Sequence, residues 1–216
     1  MELKIVFIII LTVVSSVYLV TLFFKFSVFQ AVLKCCLLPL ILAIYIFGAG
    51  RILVPVILAL VFGWLGDVLL LKNYDNRFFK CGLASFLLGH ICFIIAMFNF
   101  TQPFFYSVLF ISFAVAAALG FLLFRFVKPT GEMKIPVIAY ETVIILMALS
   151  ALQIFVVQAG SFGFFVLAGS LCFLISDSLL AYDTFRKKTK FGYFIIMVTY
   201  ILAQLFITLG FCTPGI

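Results

Sequence analysis

Long apolar runs alternate along this chain with short breaks that carry charge, glycine or proline. The runs lie at about 5–24, 31–48, 52–71, 81–99, 104–124, 135–157, 160–181 and 191–212. Each is close to the length that crosses a hydrocarbon layer of about 30 Å at a rise of 1.5 Å per residue. Backbone groups left unpaired in hydrocarbon are so costly that such runs predict helices rather than strands, even with much Phe, Val and Ile. The expected fold is an all-α polytopic membrane protein: eight transmembrane helices, short connections and a single transmembrane domain over residues 1–216. The first run follows a weakly charged start, Met1-Glu2-Leu3-Lys4, is long for a signal segment and lacks a small-residue cleavage site, so it is expected to stay as a helix.

Composition narrows the class. Of the 216 residues 67% are hydrophobic, 10% are charged and thirty are Phe, which excludes an ordinary soluble domain. The charge also gives direction. Lys25, Lys34, Lys72, Arg77, Lys80, Arg125, Lys128, Lys134, Arg186, Lys187, Lys188 and Lys190 fall at the connections after the first, third, fifth and seventh spans; only Lys4 and Arg51 fall on the other side. Under the positive-inside rule the basic loops are cytoplasmic and both termini lie outside, in a cell membrane, expected to be a bacterial inner membrane. The +7 net charge then belongs to one membrane face and to contact with anionic lipid, and no nucleic-acid partner is expected. The six cysteines lie in or at the ends of the spans without a C-x-x-C spacing, and one histidine cannot build a multi-histidine zinc centre, so no disulfide framework, metal or cofactor is expected.

Two aspartates interrupt the apolar pattern. Asp67 and Asp177 each lie a few residues inside the end of a span, where a carboxylate costs roughly 2.5–3.5 kcal/mol on insertion scales and is kept mainly for a function or a partner. Shifting the chain by 110 residues places Gly66-Asp67-Val68-Leu69-Leu70 on Ser176-Asp177-Ser178-Leu179-Leu180, and also Arg77 on Lys187, Lys80 on Lys190 and Gly82 on Gly192. The third and fourth spans thus match the seventh and eighth, as in a 4+4 parallel internal repeat. The same shift places His90 on Tyr200. Each lies on a stripe at every fourth residue, Gly82-Phe86-His90 and Gly192-Ile196-Tyr200-Gln204, which lets backbones approach at the glycines and turns the polar residues inward.

Helical rise puts Asp67 about 7 Å inside Lys72, Asp177 about 9 Å inside Asp183 and Glu141 about 10 Å inside Lys134, with His90 and Tyr200 near 15 Å. This describes a pocket open to the cytoplasm with a charged mouth and an aromatic floor, suited to an amphiphile. Lys34, Lys80 and Lys190 at its rim are candidates to hold a phosphate as point charges, or are ordinary snorkelling lysines. Read from the residues alone, the set fits an enzyme with paired carboxylates, a proton-coupled transporter, or a non-catalytic lipid-binding membrane protein.

In order and spacing these segments resemble the YhhN-like lysoplasmalogenases. The resemblance runs from about residue 34 onward, through Gly66-Asp67, Gly82-Leu83 to Phe86, Gly89-His90, Tyr140 with Met147, Phe173 to Ser178, and Thr199-Tyr200 with Gln204. The family commonly has Lys-Pro near the start of the second span, where this chain has Lys34-Cys35. The resemblance implies an integral-membrane hydrolase of vinyl-ether lysophospholipids that releases a fatty aldehyde and glycerophosphoethanolamine or glycerophosphocholine. That chemistry needs one protonated and one ionised carboxyl group, a division that burial and mutual repulsion can impose on Asp67 and Asp177. The cationic transition state invites the analogy of a glycosidase pair. His90, Tyr200 and Gln204 would orient water or the ether oxygen, Tyr140 would contact substrate, and Glu141 would neutralise a rim cation or the substrate ammonium.

Overall fold

The computed structural model describes residues 2–24, 27–71, 76–101, 131–158, 160–189 and 191–213, with positions 114, 118, 120 and 125 between them. Its helices are α1 (Glu2–Thr21), α2 (Val28–Gly48), α3 (Val54–Leu70), α4 (Asn76–Phe98), α5 (Lys134–Val157), α6 (Ser161–Phe185) and α7 (Gly192–Phe211), with one 3₁₀ turn at Gly131–Met133 ahead of α5. No strand occurs among the described residues. Six of these helices are long and apolar enough to cross a membrane, and the chain is a multi-pass membrane protein. α3 is shorter, at 17 residues. The predicted span at 104–124 lies outside the described residues, apart from isolated helical positions, as do Lys25, Lys72, Lys128 and Lys190.

The helix boundaries have local causes. Ser27 caps α2, its hydroxyl accepting from the Gln30 N–H at 3.2 Å. Pro55, in the first turn of α3, sits where its missing N–H is not needed. Between these helices the Tyr45 hydroxyl accepts from the Leu53 N–H at 2.7 Å and ties the connection to the end of α2. Pro39 stands inside α2 and leaves the Cys35 carbonyl without its usual donor four residues on. The Trp64 indole N–H on α3 fills that vacancy, donating to the Cys35 oxygen at 3.0 Å. In hydrocarbon such an orphan carbonyl must find a partner, so the proline pins α2 to α3.

Helices adjacent in sequence pack together, α1 on α2, α3 on α4 and α6 on α7, while α4 meets α5 and α2 meets α7. Small residues allow the close crossings. A Cβ at Gly66 would come within 2.6 Å of the Phe86 ring, and one at Gly89 within 3.1 Å of the Ala59 carbonyl, so glycine at both positions lets α3 and α4 lie this close without a shift of their neighbours. Leu37, Ile41 and Ile44 of α2 and Val56 and Leu60 of α3 recur at helical spacing and are buried between helices. Ile9, Val13, Val17 and Val20 form the opposite kind of stripe on α1, exposed and suited to lipid.

Candidate active site

Five helices bring polar side chains to one cavity of about 530 Å³, whose wall includes Lys34 from α2, Asp67 from α3, Tyr140 from α5, Asp177 from α6 and Tyr200 from α7. The two aspartates share this cavity but not the same surroundings. Asp67 is 2% exposed; its Oδ1 lies 3.3 Å from the Lys34 ammonium and its Oδ2 accepts from the Tyr200 hydroxyl at 2.7 Å. Both oxygens are therefore engaged, one by a cation. Asp177 is also buried, and its Oδ2 accepts from the Tyr140 hydroxyl at 2.6 Å. Among the described residues no lysine or arginine lies within ion-pair distance of Asp177; the nearest group of that kind is His90 Nε2, at 4.0 Å.

His90 is 2% exposed, and among the described residues neither ring nitrogen makes a well-formed hydrogen bond, although the Phe86 backbone one turn back lies near the ring. A buried polar group left unpaired is costly and calls for a further partner at the site. Aromatic rings hold the imidazole in place: Tyr140 and Phe173 meet it edge to face with centroids at 5.5 and 4.7 Å. Phe173 also meets Tyr200 at 5.7 Å, and Phe86 meets Tyr200 at 5.9 Å. A continuous aromatic wall thus joins the two carboxylates.

The expected residues separate into those inside the cavity and those outside it. Asp67, Asp177, Tyr140, Tyr200 and Lys34 line the cavity; His90 lies behind that wall, its Nε2 4.0 Å from Asp177, and Gln204, 1% exposed, also lies behind it, one turn beyond Tyr200 with its side chain against that hydroxyl. Lys34, expected at the rim, is instead buried against Asp67, because its position early in α2 faces the bundle rather than the lipid. Lys80 lies away from the cavity wall and pairs at 2.8 Å with Glu132 in the 3₁₀ turn, a contact that holds the Glu132 carboxyl below its ordinary range. Glu141 is half-buried and does not line the cavity, and Lys190 lies outside the described residues. The rim carries Asp183 and Lys188, which the sequence reading passed over. Their signal was weak: Asp183 ends a helix beside a basic connection and Lys188 lies within that connection, a pattern that topology alone explains.

Several contacts are reciprocal under the 110-residue shift. Asp67 meets Tyr200, and the residues equivalent to these by the 110-residue shift, Asp177 and His90, face each other as well. Gly66 packs on Phe86, while their counterparts meet through a hydrogen bond from the Ser176 hydroxyl to the Ile196 carbonyl at 3.1 Å.

Comparison with known proteins adds three findings. The profile of the YhhN family matches residues 29–211, from α2 to the end of α7. A human protein named lysoplasmalogenase TMEM86B is 32% identical over 133 residues, which is 61% of this chain and 53% of that protein, so the chain spans about half the length of this curated relative. No solved structure matches the chain.

Proposed function

The chain belongs to the YhhN family, and from that premise we propose that it is a membrane-embedded hydrolase that cleaves the vinyl-ether bond of lysoplasmalogens to a fatty aldehyde and glycerophosphoethanolamine or glycerophosphocholine. The relative named lysoplasmalogenase supports the substrate class. The observation that carries the chemistry is the unequal pairing of two carboxylates in one cavity: the Lys34 ammonium lies against Asp67, whereas Asp177 accepts from the Tyr140 hydroxyl at 2.6 Å and, among the described residues, has no lysine or arginine within ion-pair distance.

In this mechanism Asp177 carries the proton. It transfers that proton to the vinyl carbon remote from oxygen, which becomes a CH₂ group and leaves an oxocarbenium ion at the carbon bonded to oxygen. Asp67, fixed by Lys34 and Tyr200, supplies the stationary negative charge that this cation meets. Water, held beside Asp177 where His90 Nε2 approaches to 4.0 Å, adds to the cationic carbon and returns a proton to Asp177. The hemiacetal then breaks its bond to the glycerol oxygen, which takes up the hydroxyl proton, and the aldehyde is released. One water is consumed and the carboxyl group is restored.

The reading includes eight spans, a 4+4 repeat supported by the reciprocal contacts of Asp67 and Asp177, outside termini, and a cavity mouth on the cytoplasmic side of a bacterial inner membrane. The lipid substrate and surrounding membrane lipids are the partners. Purified protein in detergent should hydrolyse alkenyl but not alkyl or acyl lysophospholipids, and in heavy water the aldehyde, reduced at once to block exchange, should carry one deuterium at C2. Asp177→Asn should lower turnover at least a hundred-fold, within the range for loss of a general acid. An unlabelled aldehyde, or equal acyl hydrolysis, would remove carbon protonation from the mechanism.

A further inference from the structure

The cavity mouth holds two charges that the carboxylate chemistry does not use. Asp183 in the last turn of α6 and Lys188 in the connection to α7 both line it. An acidic side chain at a helix C-terminus opposes the helix dipole, yet here it is held in place. Thr189 donates its N–H and its hydroxyl to Asp183 Oδ1, each at 3.2 Å. Gly192 leaves the room for this arrangement, since a Cβ there would collide with both Asp183 and Thr189. Lys188 makes no hydrogen bond or ion pair among the described residues, and it is not paired with Asp183. The rim thus offers a fixed anion and an unneutralised cation beside one opening.

Their depth suits one kind of ligand. Asp183 lies six residues from Asp177 on the same helix, about 9 Å along its axis. In a 1-alkenyl glycerophospholipid six bonds separate phosphorus from the vinyl carbon, roughly 7–8 Å when extended at ordinary bond lengths. A substrate with its vinyl ether at Asp177 therefore brings its phosphate to the level of this rim. We propose that Lys188 and Asp183 form a headgroup subsite for a zwitterionic glycerophosphoamine, with Lys188 taking the phosphate and Asp183 the ammonium. This rests on the vinyl-ether reading above and adds selectivity to it: an anionic headgroup would place its extra negative charge against Asp183, and a lipid without phosphate would leave Lys188 unmatched.

The test compares three substrates, 1-alkenyl-glycerophosphoethanolamine, 1-alkenyl-glycerophosphate and 1-alkenylglycerol. Lys188→Gln should lower the kcat/KM ratio of the glycerophosphate over the alkenylglycerol about five-fold, through KM, as fits a partly solvated ion pair. Asp183→Asn keeps an oxygen to accept from Thr189, and it should lower the ratio of the phosphoethanolamine over the glycerophosphate by a similar factor. Ratios that stay at their wild-type values, while wild type turns over all three, would remove the headgroup subsite and leave the vinyl-ether reading intact. A wild-type protein that hydrolysed none of them would remove both.

Discussion

Lys34 and Asp67 show how one contact divides the labour between two similar residues. Leaving either charge buried without the other typically costs 3–5 kcal/mol, whereas removing both can be nearly neutral. Lys34→Met is accordingly expected to lower stability by about that amount, read as a drop in thermal unfolding temperature in detergent, and to abolish turnover. The double variant Lys34→Met/Asp67→Asn should regain most of the stability and none of the activity. If the double variant unfolds as early as the single one, the pair is not coupled as described. The aspartates were legible in the sequence because a carboxylate inside an apolar run is conspicuous. The burial of Lys34 was not, since a count along a helix gives depth but not azimuth, and a lysine near a helix end can turn inward or snorkel with equal ease.

The helices themselves were legible wherever length and apolarity suffice, and the structure ends them within a few residues of where charges, glycines and prolines stop the runs. What joins them was hidden. The Trp64–Cys35 hydrogen bond links residues 29 apart in sequence, and nothing in either run announces it. It depends on Pro39, which predicts a specific coupling. Trp64→Phe should cost about 1–3 kcal/mol by leaving a carbonyl unpaired. In a Pro39→Ala background the helix supplies its own donor again, and the same substitution should then cost less than half as much, as measured by unfolding of the four variants of this cycle. Equal cost in both backgrounds would show that Trp64 acts through packing alone. Gly66 and Gly89 belong to the same category: the sequence shows a glycine in each of two apolar runs, but only the crossing of α3 and α4 reveals which ring and which carbonyl they admit.

Across the whole molecule, the proposed orientation rests on loop charge and the proposed repeat on a 110-residue shift in register. Single cysteines at Gly50 and Lys187, in a variant lacking the six native thiols, should react with a membrane-impermeant reagent from opposite sides, Lys187 from the cytoplasm. Labelling from one side would break the eight-span arrangement. The sequence shows a shift in register between two segments, whereas the reciprocal contacts, each aspartate facing the counterpart of the other's neighbour, needed three dimensions. The ion pair at the centre also bears on biogenesis. Lys34 and Asp67 lie on α2 and α3, consecutive helices whose connection is tied by Tyr45. As this hairpin leaves the ribosome, its opposite charges can meet before either reaches the bilayer interior, and the two helices then partition as one electrically neutral unit rather than as two segments each burdened with a bare charge.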